Sequence, residues 1–505
     1  MRKNIWQRTS DDTKTYPGLS QTIETEICIV GGGITGITAA LQLCRAGKKV
    51  VILEAERLAF GTTGSSSNHL NTQIDFSYHK IEKNFSEEIA QLVASARTDA
   101  IDYIEQNSRS LDADFKRIDG YLYTESEDQV ELIEKEYEAS LRAGLPVTKI
   151  QDVPLPFPVR LAIKYTNQGA FNAIKYIEGL AKEVSLLGGI IYENSRVIDF
   201  DKDTVTLTTA HGSVKAKEVF FATHIPLFIN LHQTTSTPYR SFIITAKVDN
   251  YPQDALYWDT FDPYHYTRIY EENGDKWLVV GGADHKTGHS DPEKDYYKDL
   301  EIYLQRRYHV KEITHRWSHQ YFEPADGLPY IGKSPLGTAY MATGYSGDGL
   351  VYGTIAGILV SDMILGKENK WEKAFDARRF KPVASAGSFI EHNIDVAKQL
   401  IAGRFTSDDL KELTPDTGVV IRKDGDNYAV YKNPDGRLTV CSAICTHMKC
   451  VVNWNHMEKI WECGCHGSHF AADGKVLMGP ATKDLSKIGE EKAIKEFIKN
   501  EEHKE

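Results

Sequence analysis

Two short runs near the C-terminus carry residue types that bind metals: Cys445-Thr-His447 and Cys463-Gly-Cys-His466, with 15 residues between His447 and Cys463. Each run offers one thiol followed by one imidazole. Zinc uses such a Cys2His2 set in structural sites. A binuclear iron–sulfur centre uses it as well, with two thiolates on one iron and two imidazoles on the other. The one-Cys, one-His make-up of both half-sites favours that second arrangement. Five of the seven cysteines, Cys441, Cys445, Cys450, Cys463 and Cys465, fall within 25 residues. That density marks one local metal or redox site and excludes a disulfide scaffold for the whole chain. Cys28 and Cys44 stand alone near the start.

A second chemistry is written at the other end. The apolar run Glu26-Ile-Cys-Ile-Val30 leads at once into Gly31-Gly-Gly-Ile-Thr-Gly36 and a helical pattern through Arg45. Glycines at 31, 33 and 36 permit a tight turn, a close approach of backbone to a pyrophosphate, and close helix–strand packing. The helix N-terminus then supplies N–H donors to the phosphates. The next strand, Lys49-Val-Val-Ile-Leu53, ends in Glu54, 18 residues after Gly36 and placed to accept from ribose hydroxyls. Strand, turn, helix, strand and acid in this order predict a dinucleotide site.

Further motifs carry a family resemblance. Glu54-Ala-Glu-Arg57, Gly61-Thr-Thr-Gly-Ser-Ser-Ser67, Val219-Phe-Phe-Ala-Thr223, Asp326-Gly-Leu-Pro-Tyr-Ile-Gly332 and Ala342-Thr-Gly-Tyr-Ser-Gly-Asp-Gly349 resemble the amino-acid/amine oxidase family of FAD flavoproteins. This is the D-amino-acid oxidase and glycine oxidase group, and the resemblance runs from Ile23 to about Phe380. It implies FAD held around Gly31, Gly33, Gly36, Glu54 and Arg57, with Thr62, Thr63, Val197 and Ala222 contributing. Gly344, Gly347 and Gly349 form a second glycine-rich turn that can aim N–H groups at the flavin O2 edge, where negative charge develops on reduction. Some relatives tether FAD through a histidine where this chain has Gly64-Ser65, so the FAD is expected to be non-covalent, with His69 the nearest histidine. The region lacks a second G-x-G-x-x-G and a redox Cys-x-x-Cys, which argues against a pyridine-nucleotide disulfide reductase.

The C-terminal text His466-Gly-Ser-His-Phe470, then Gly474 and Gly479-Pro-Ala481, closely resembles the second box of Rieske [2Fe–2S] domains of the cytochrome bc type. Cys445, His447, Cys463 and His466 would then be the iron ligands. Cys450 and Cys465, one in each loop, would be joined in a disulfide. Ser468 matches the family serine that donates to a cluster sulfide. High-potential members carry a tyrosine where this chain has Phe470, which cannot donate. The missing hydrogen bond predicts a potential below that of quinol-oxidising complexes and above ferredoxin-type clusters.

Together these motifs resemble a bacterial family of DadA-like FAD oxidoreductases with a C-terminal Rieske domain. The resemblance implies an enzyme that oxidises an amine or amino acid and passes electrons from flavin to its own cluster, then to an unknown one-electron acceptor. The product would be an imine, hydrolysed to a carbonyl compound and ammonia or an amine. The alternative is a redox relay, or a reductase in which the Rieske domain delivers electrons to the flavin. A ring-hydroxylating oxygenase is not expected, because 39 residues after His466 are too few for its mononuclear iron domain. Substrate-site candidates are Tyr264, Tyr266, Arg268 and His285, with Arg268 a possible carboxylate clamp.

The elements that must position these residues follow from pattern. The expected fold is an α/β FAD-binding domain (Rossmann-like, glutathione-reductase-type), an α+β substrate domain, and a C-terminal all-β Rieske domain. Residues 1–380 read as the oxidoreductase module with its two subdomains interleaved. Residues 381–409 read as a helical connector, and 410–505 as the Rieske domain with a charged tail. Helical periods span Ile81 to Gln106 and Phe171 to Gly188; strand-like runs include Gly189–Tyr192, Glu218–Ala222, Ser241–Val248 and Trp277–Val280. Of the 505 residues, 59 are Lys or Arg against 71 Asp or Glu, a net charge of −12 that argues against a nucleic-acid partner. The sequence shows no signal-like N-terminus and no apolar run of the ~18 residues that a membrane span needs. A cytoplasmic protein is expected.

Overall fold

In the computed structural model, residues 4–9, 15–228, 231–335, 337–379, 413–423 and 425–488 are described. The expected connector, 381–409, and most of the charged tail lie outside them. Every residue of the strand Ile27–Val30 is apolar and buried, as in a central strand covered on both faces. It pairs in parallel with Val50–Leu53 on one side and Glu218–Phe221 on the other. The full sheet has six strands in the order Tyr330–Lys333, Tyr340–Thr343, Glu218–Phe221, Ile27–Val30, Val50–Leu53, Ile190–Tyr192. This is the Rossmann-like sheet that the opening motif requires. Burying each Val, Leu or Ile of its central strands contributes about 1.5–3 kcal/mol, enough to hold the glycine turn rigidly at the strand ends.

The region expected to bind substrate is built on a nine-stranded sheet. It contains Lys116–Thr124, Leu161–Ala170, Leu256–Asp259, Tyr266–Glu272, Asp275–Lys286 and Val310–Pro324. The helical period expected over Ile81 to Gln106 is broken in two, Tyr78–Asn84 and Glu87–Ser108. Ser86 causes the break: its side chain accepts the Ile89 N–H at 3.3 Å, and Glu87 and Glu88 follow in the first turn. Ala173–Leu186 begins in the same way, with Asn172 accepting from Ile174 and Lys175.

The chain divides into two compact units. One comprises Met1–His224, Arg240–Asp284 and Asp295–Ala384; the other comprises Ile225–Tyr239, His285–Lys294 and the chain from Ser385 on. The second unit holds two antiparallel sheets. Thr417–Lys423, Asp426–Lys432 and Leu438–Ser442 form the first, and Asn453–Asn455, Ile460–Glu462, His469–Ala471 and Val476–Met478 the second. Short strands and tight turns, such as the one closed by Gly436 (φ 82°), leave the core small. Cys445, Cys463, Trp461 and Phe470 lie together in it. Among the described residues no helix is long and apolar enough to cross a membrane.

Candidate functional sites

The first glycine-rich turn joins Ile27–Val30 to the helix Ile34–Arg45. Gly31 has φ +111°, and a Cβ there would lie 2.4 Å from the Ala222 carbonyl oxygen; one on Gly36 would lie 2.0 Å from the Gly31 carbonyl oxygen. No side chain fits either contact, so the backbone crosses itself as closely as a pyrophosphate cradle needs. The N-cap, Gly33, supplies no side-chain cap, so the first-turn donors suit an anion. Thr63 Oγ1 accepts the Ile34 N–H at 3.2 Å, and Thr62 Oγ1 donates to the Gln320 carbonyl at 3.1 Å. Glu54 reaches the turn: its carboxylate accepts from Gly32 N at 2.7 Å and Glu56 N at 2.9 Å. Burial pushes that carboxyl up. Arg57 is exposed, and Val197 is buried in a separate four-stranded sheet.

The second turn, Gly344 to Gly349, opens the helix Gly349–Ile364, again without a side-chain cap. The two turns meet: Thr35 Oγ1 and Tyr345 OH are 3.2 Å apart across 310 residues of chain. Two helix starts whose own N-cap residues give no side-chain cap, and a cradle free of Cβ atoms, fit FAD. His69 is committed elsewhere, with Nδ1 at 2.7 Å from Ser67 Oγ and Nε2 at 3.4 Å from the Thr267 carbonyl. Burial pushes it down to about 3.

Beside the second turn the structure gathers acids, of which only Asp348 stood within a sequence motif. Asp75 Oδ2 accepts the Gly347 N–H at 2.8 Å and the Tyr264 hydroxyl at 3.3 Å. Burial, then the charges of Asp348 and Glu323, push the Asp75 carboxyl well up. Asp348 is differently held: Arg97 Nη2 and Asn71 Nδ2 each donate to its Oδ1 at 2.9 Å. Tyr321 donates to Asp284 Oδ2 at 2.9 Å, while Asp284 Oδ1 is buried with no hydrogen-bond partner among the described residues. Burial pushes Asp284 up to about 6. Tyr266 contacts Ser241 Oγ at 3.0 Å, and its ring lies 6.0 Å from that of Tyr264.

Two sequence candidates fare differently. Arg268, the possible carboxylate clamp, faces backbone carbonyls here. Its Nη1 donates to the Asn68 carbonyl at 2.6 Å and the Phe171 carbonyl at 3.3 Å, its Nε to that of Ile269, and it lies over the Trp6 ring. Only 2% of it is exposed. His285 belongs to the second unit, whereas Tyr264 and Tyr266 belong to the first.

In the second unit the two cysteine–histidine loops come together. The Cys445 and Cys463 thiols are buried and hydrogen-bonded to each other, which pushes Cys445 down to about 7 and Cys463 up. The His447 and His466 rings are 5.1 Å apart and nearly perpendicular. His447 Nδ1 is buried without a hydrogen-bond partner among the described residues. Its Nε2 donates to the Phe228 carbonyl at 3.2 Å. Two thiols and two imidazoles with a ring nitrogen left over fit a binuclear cluster. Cys450 and Cys465 form a disulfide and are 2% and 0% exposed, so burial shields the bridge from solvent reductants. Ser468 Oγ accepts the Ala481 N–H at 3.0 Å and hydrogen-bonds the Cys445 sulfur. Phe470 is fully buried in this cluster. Phe470→Tyr is expected to raise the cluster midpoint potential in a redox titration; a value at or below wild type would remove this account of the phenylalanine.

Comparison with known proteins finds both domains. Residues 26–363 match the FAD dependent oxidoreductase (DAO) family, and residues 405–489 match the Rieske [2Fe-2S] domain. The chain is 30% identical over 491 residues to YhfW of Bacillus subtilis (strain 168), named as a Rieske 2Fe-2S iron-sulfur protein, covering 95% of this chain and 96% of that one. It is 25% identical over 378 residues to gamma-glutamylputrescine oxidoreductase of Escherichia coli (strain K12), covering 71% and 87%. Glycine oxidase from Geobacillus kaustophilus shares the fold, with a TM-score of 0.58 at 18% identity over 71% of this chain and 99% of that one. The chain therefore belongs to the DAO family of FAD-dependent oxidoreductases, is of the amine/amino-acid oxidase type, and carries a C-terminal Rieske domain, with FAD and a [2Fe–2S] cluster as its cofactors.

Proposed function

We propose that this enzyme oxidises a positively charged amine and sends the electrons outward through its own Rieske domain. Support for the substrate class comes from one observation: Asp75 and Asp284 act on each other electrostatically beside Tyr264 and Tyr321, while Arg268 is spent on backbone carbonyls. A substrate carboxylate would push these already raised acids further from ionisation, whereas an ammonium would favour their charged forms and meet its complement. FAD supplies the two-electron acceptor for a C–H bond next to nitrogen, and the cluster supplies a one-electron outlet. The chain's residues do the rest. Gly31, Gly33, Gly36, Glu54, Thr62, Thr63, Ala222 and the turn Gly344–Gly349 hold the dinucleotide, without a bond to His69. Asp75 and Asp284 bind the cation, with Tyr264, Tyr266 and Tyr321 as walls. Cys445, His447, Cys463 and His466 hold the iron.

The test is anaerobic mixing of the purified protein with a panel of polyamines, acylated amines and amino acids. Flavin bleaching by the amines, followed by a Rieske EPR signal, is the expected result. Bleaching by none of them, with flavin reduced only through the cluster, would favour the reversed flow instead.

Asp284 also sets a pH dependence. Its carboxyl, raised to about 6, gains charge as pH rises, so kcat/KM for a cationic amine should rise through about pH 6. Asp284→Asn should flatten that limb and raise KM. The sign for stability is opposite. A carboxyl that resists ionisation in the fold costs stability as pH rises from its ordinary value through about 6. The variant should therefore melt no lower than wild type at pH 7.5, although it binds substrate worse.

A further inference from the structure

The cluster loops do not hold His447 by themselves. A segment more than two hundred residues earlier in the chain, Ile225–Tyr239, belongs to the same compact unit, and its Phe228 carbonyl accepts the His447 Nε2–H at 3.2 Å. Phe228 has φ +62°, a left-handed conformation uncommon for an aromatic residue, and that twist determines where its carbonyl points. Gln233, fully buried, donates from Nε2 to the Pro226 carbonyl at 2.7 Å and also to the Phe228 carbonyl. One side-chain amide thus clamps the turn from within.

We propose that the Phe228 carbonyl sets the tautomer and orientation of His447 as an iron ligand, and that Gln233 is the positioning residue that aims it. The inference rests on His447 being a ligand of the cluster. A carbonyl only accepts, so the proton must sit on Nε2, and Nδ1 is left as a lone-pair donor. Nδ1 is also the buried nitrogen without a partner among the described residues. An acceptor on the far side of a ligating imidazole makes it more basic and fixes its ring. That stabilises the oxidised cluster and lowers its potential. Residues lying within the oxidoreductase half of the sequence thereby tune the iron centre.

Three variants of the full-length holoenzyme test this, read by EPR g values, midpoint potential and iron content, with FAD absorbance as a check on folding. Phe228→Gly tolerates a positive φ and should keep the wild-type spectrum and potential. Phe228→Pro is locked near −65° and turns the carbonyl away, and Gln233→Leu removes the clamp. Both should shift the potential upward, alter the g values, and lose iron faster to a chelator. Wild-type spectra and potentials in Phe228→Pro and Gln233→Leu, with full iron, would overturn the proposal. A measurement on the unaltered enzyme guards against variants that do not fold. The nitrogen quadrupole coupling of the remote imidazole nitrogen, read by pulsed EPR, should be that of a hydrogen-bonded N–H, and the value of an N–H without an acceptor would count against the hydrogen bond. Failure of the reading beneath it would look different, as no Rieske signal in any protein, wild type included.

Discussion

Gly36→Ala is expected to leave the protein nearly free of FAD. The added methyl carbon would stand 2.0 Å from the Gly31 carbonyl oxygen and 3.1 Å from its carbonyl carbon, and both obstacles are backbone. A flexible side chain could swing aside, but this turn cannot, because Ile27–Val30 on one side and a helix with ten buried residues on the other hold it. Relief requires the helix to slide along the sheet or the turn to open, and either change pulls the phosphate donors out of register. Overpacking of this kind costs about 1–3 kcal/mol and more against backbone. Roughly 3 kcal/mol corresponds to a loss of about 100-fold or more in affinity. Absorbance at the flavin band after desalting measures the effect. A wild-type Rieske EPR signal in the same sample would show that the second unit is intact. Full flavin content in Gly36→Ala would remove this turn from the FAD site.

Cys463→Ser should have the converse signature, with no Rieske signal and normal flavin. Cys463 is 1% exposed, its N–H donates to the Ser468 carbonyl at 2.8 Å, and its sulfur lies against that of Cys445. A serine hydroxyl keeps the shape but remains protonated at neutral pH, so it is a poor replacement for a thiolate on iron. Amines should still bleach the flavin of this variant, whereas turnover with a one-electron acceptor should fall by about two orders of magnitude or more, the range seen when an essential group is lost. Iron analysis, EPR and the two activities separate these outcomes. Unchanged turnover with the one-electron acceptor would mean that electrons leave the flavin by another route.

Legibility tracked how locally the chemistry was encoded. The nucleotide turn and the cysteine–histidine pairs are each contiguous, so their spacing carried both the chemistry and its surroundings. The acidic pocket is not. Asp75 lies in a loop and Asp284 and Tyr321 on two separate strands, and each alone is an ordinary polar residue. Asp348 was visible inside the second glycine turn, but its partners Arg97 and Asn71 lie on remote segments. The partners of Arg268 were not legible, because alternation along a strand does not say what lies under a side chain, and here they are the carbonyls of Asn68 and Phe171. The helix break at Ser86 could have been read, since Ser-Glu-Glu is a start signal embedded in an otherwise continuous period. Phe228 carries no sequence signal, because its contribution is a carbonyl that every residue possesses.

The strand order of the flavin sheet governs how the enzyme is made. Ile27–Val30 takes its neighbours from Val50–Leu53, which is translated soon after it, and from Glu218–Phe221, whose own far neighbour is Tyr340–Thr343. The two glycine turns therefore meet late in synthesis. At ~5–20 residues per second, the second turn is translated roughly 15–60 s after the first. During that interval the nascent chain carries an apolar, half-paired sheet that no nucleotide can yet seal. Chaperone protection during elongation, and an ample supply of free FAD at its end, should therefore limit the yield of active enzyme more than the strength of its finished fold.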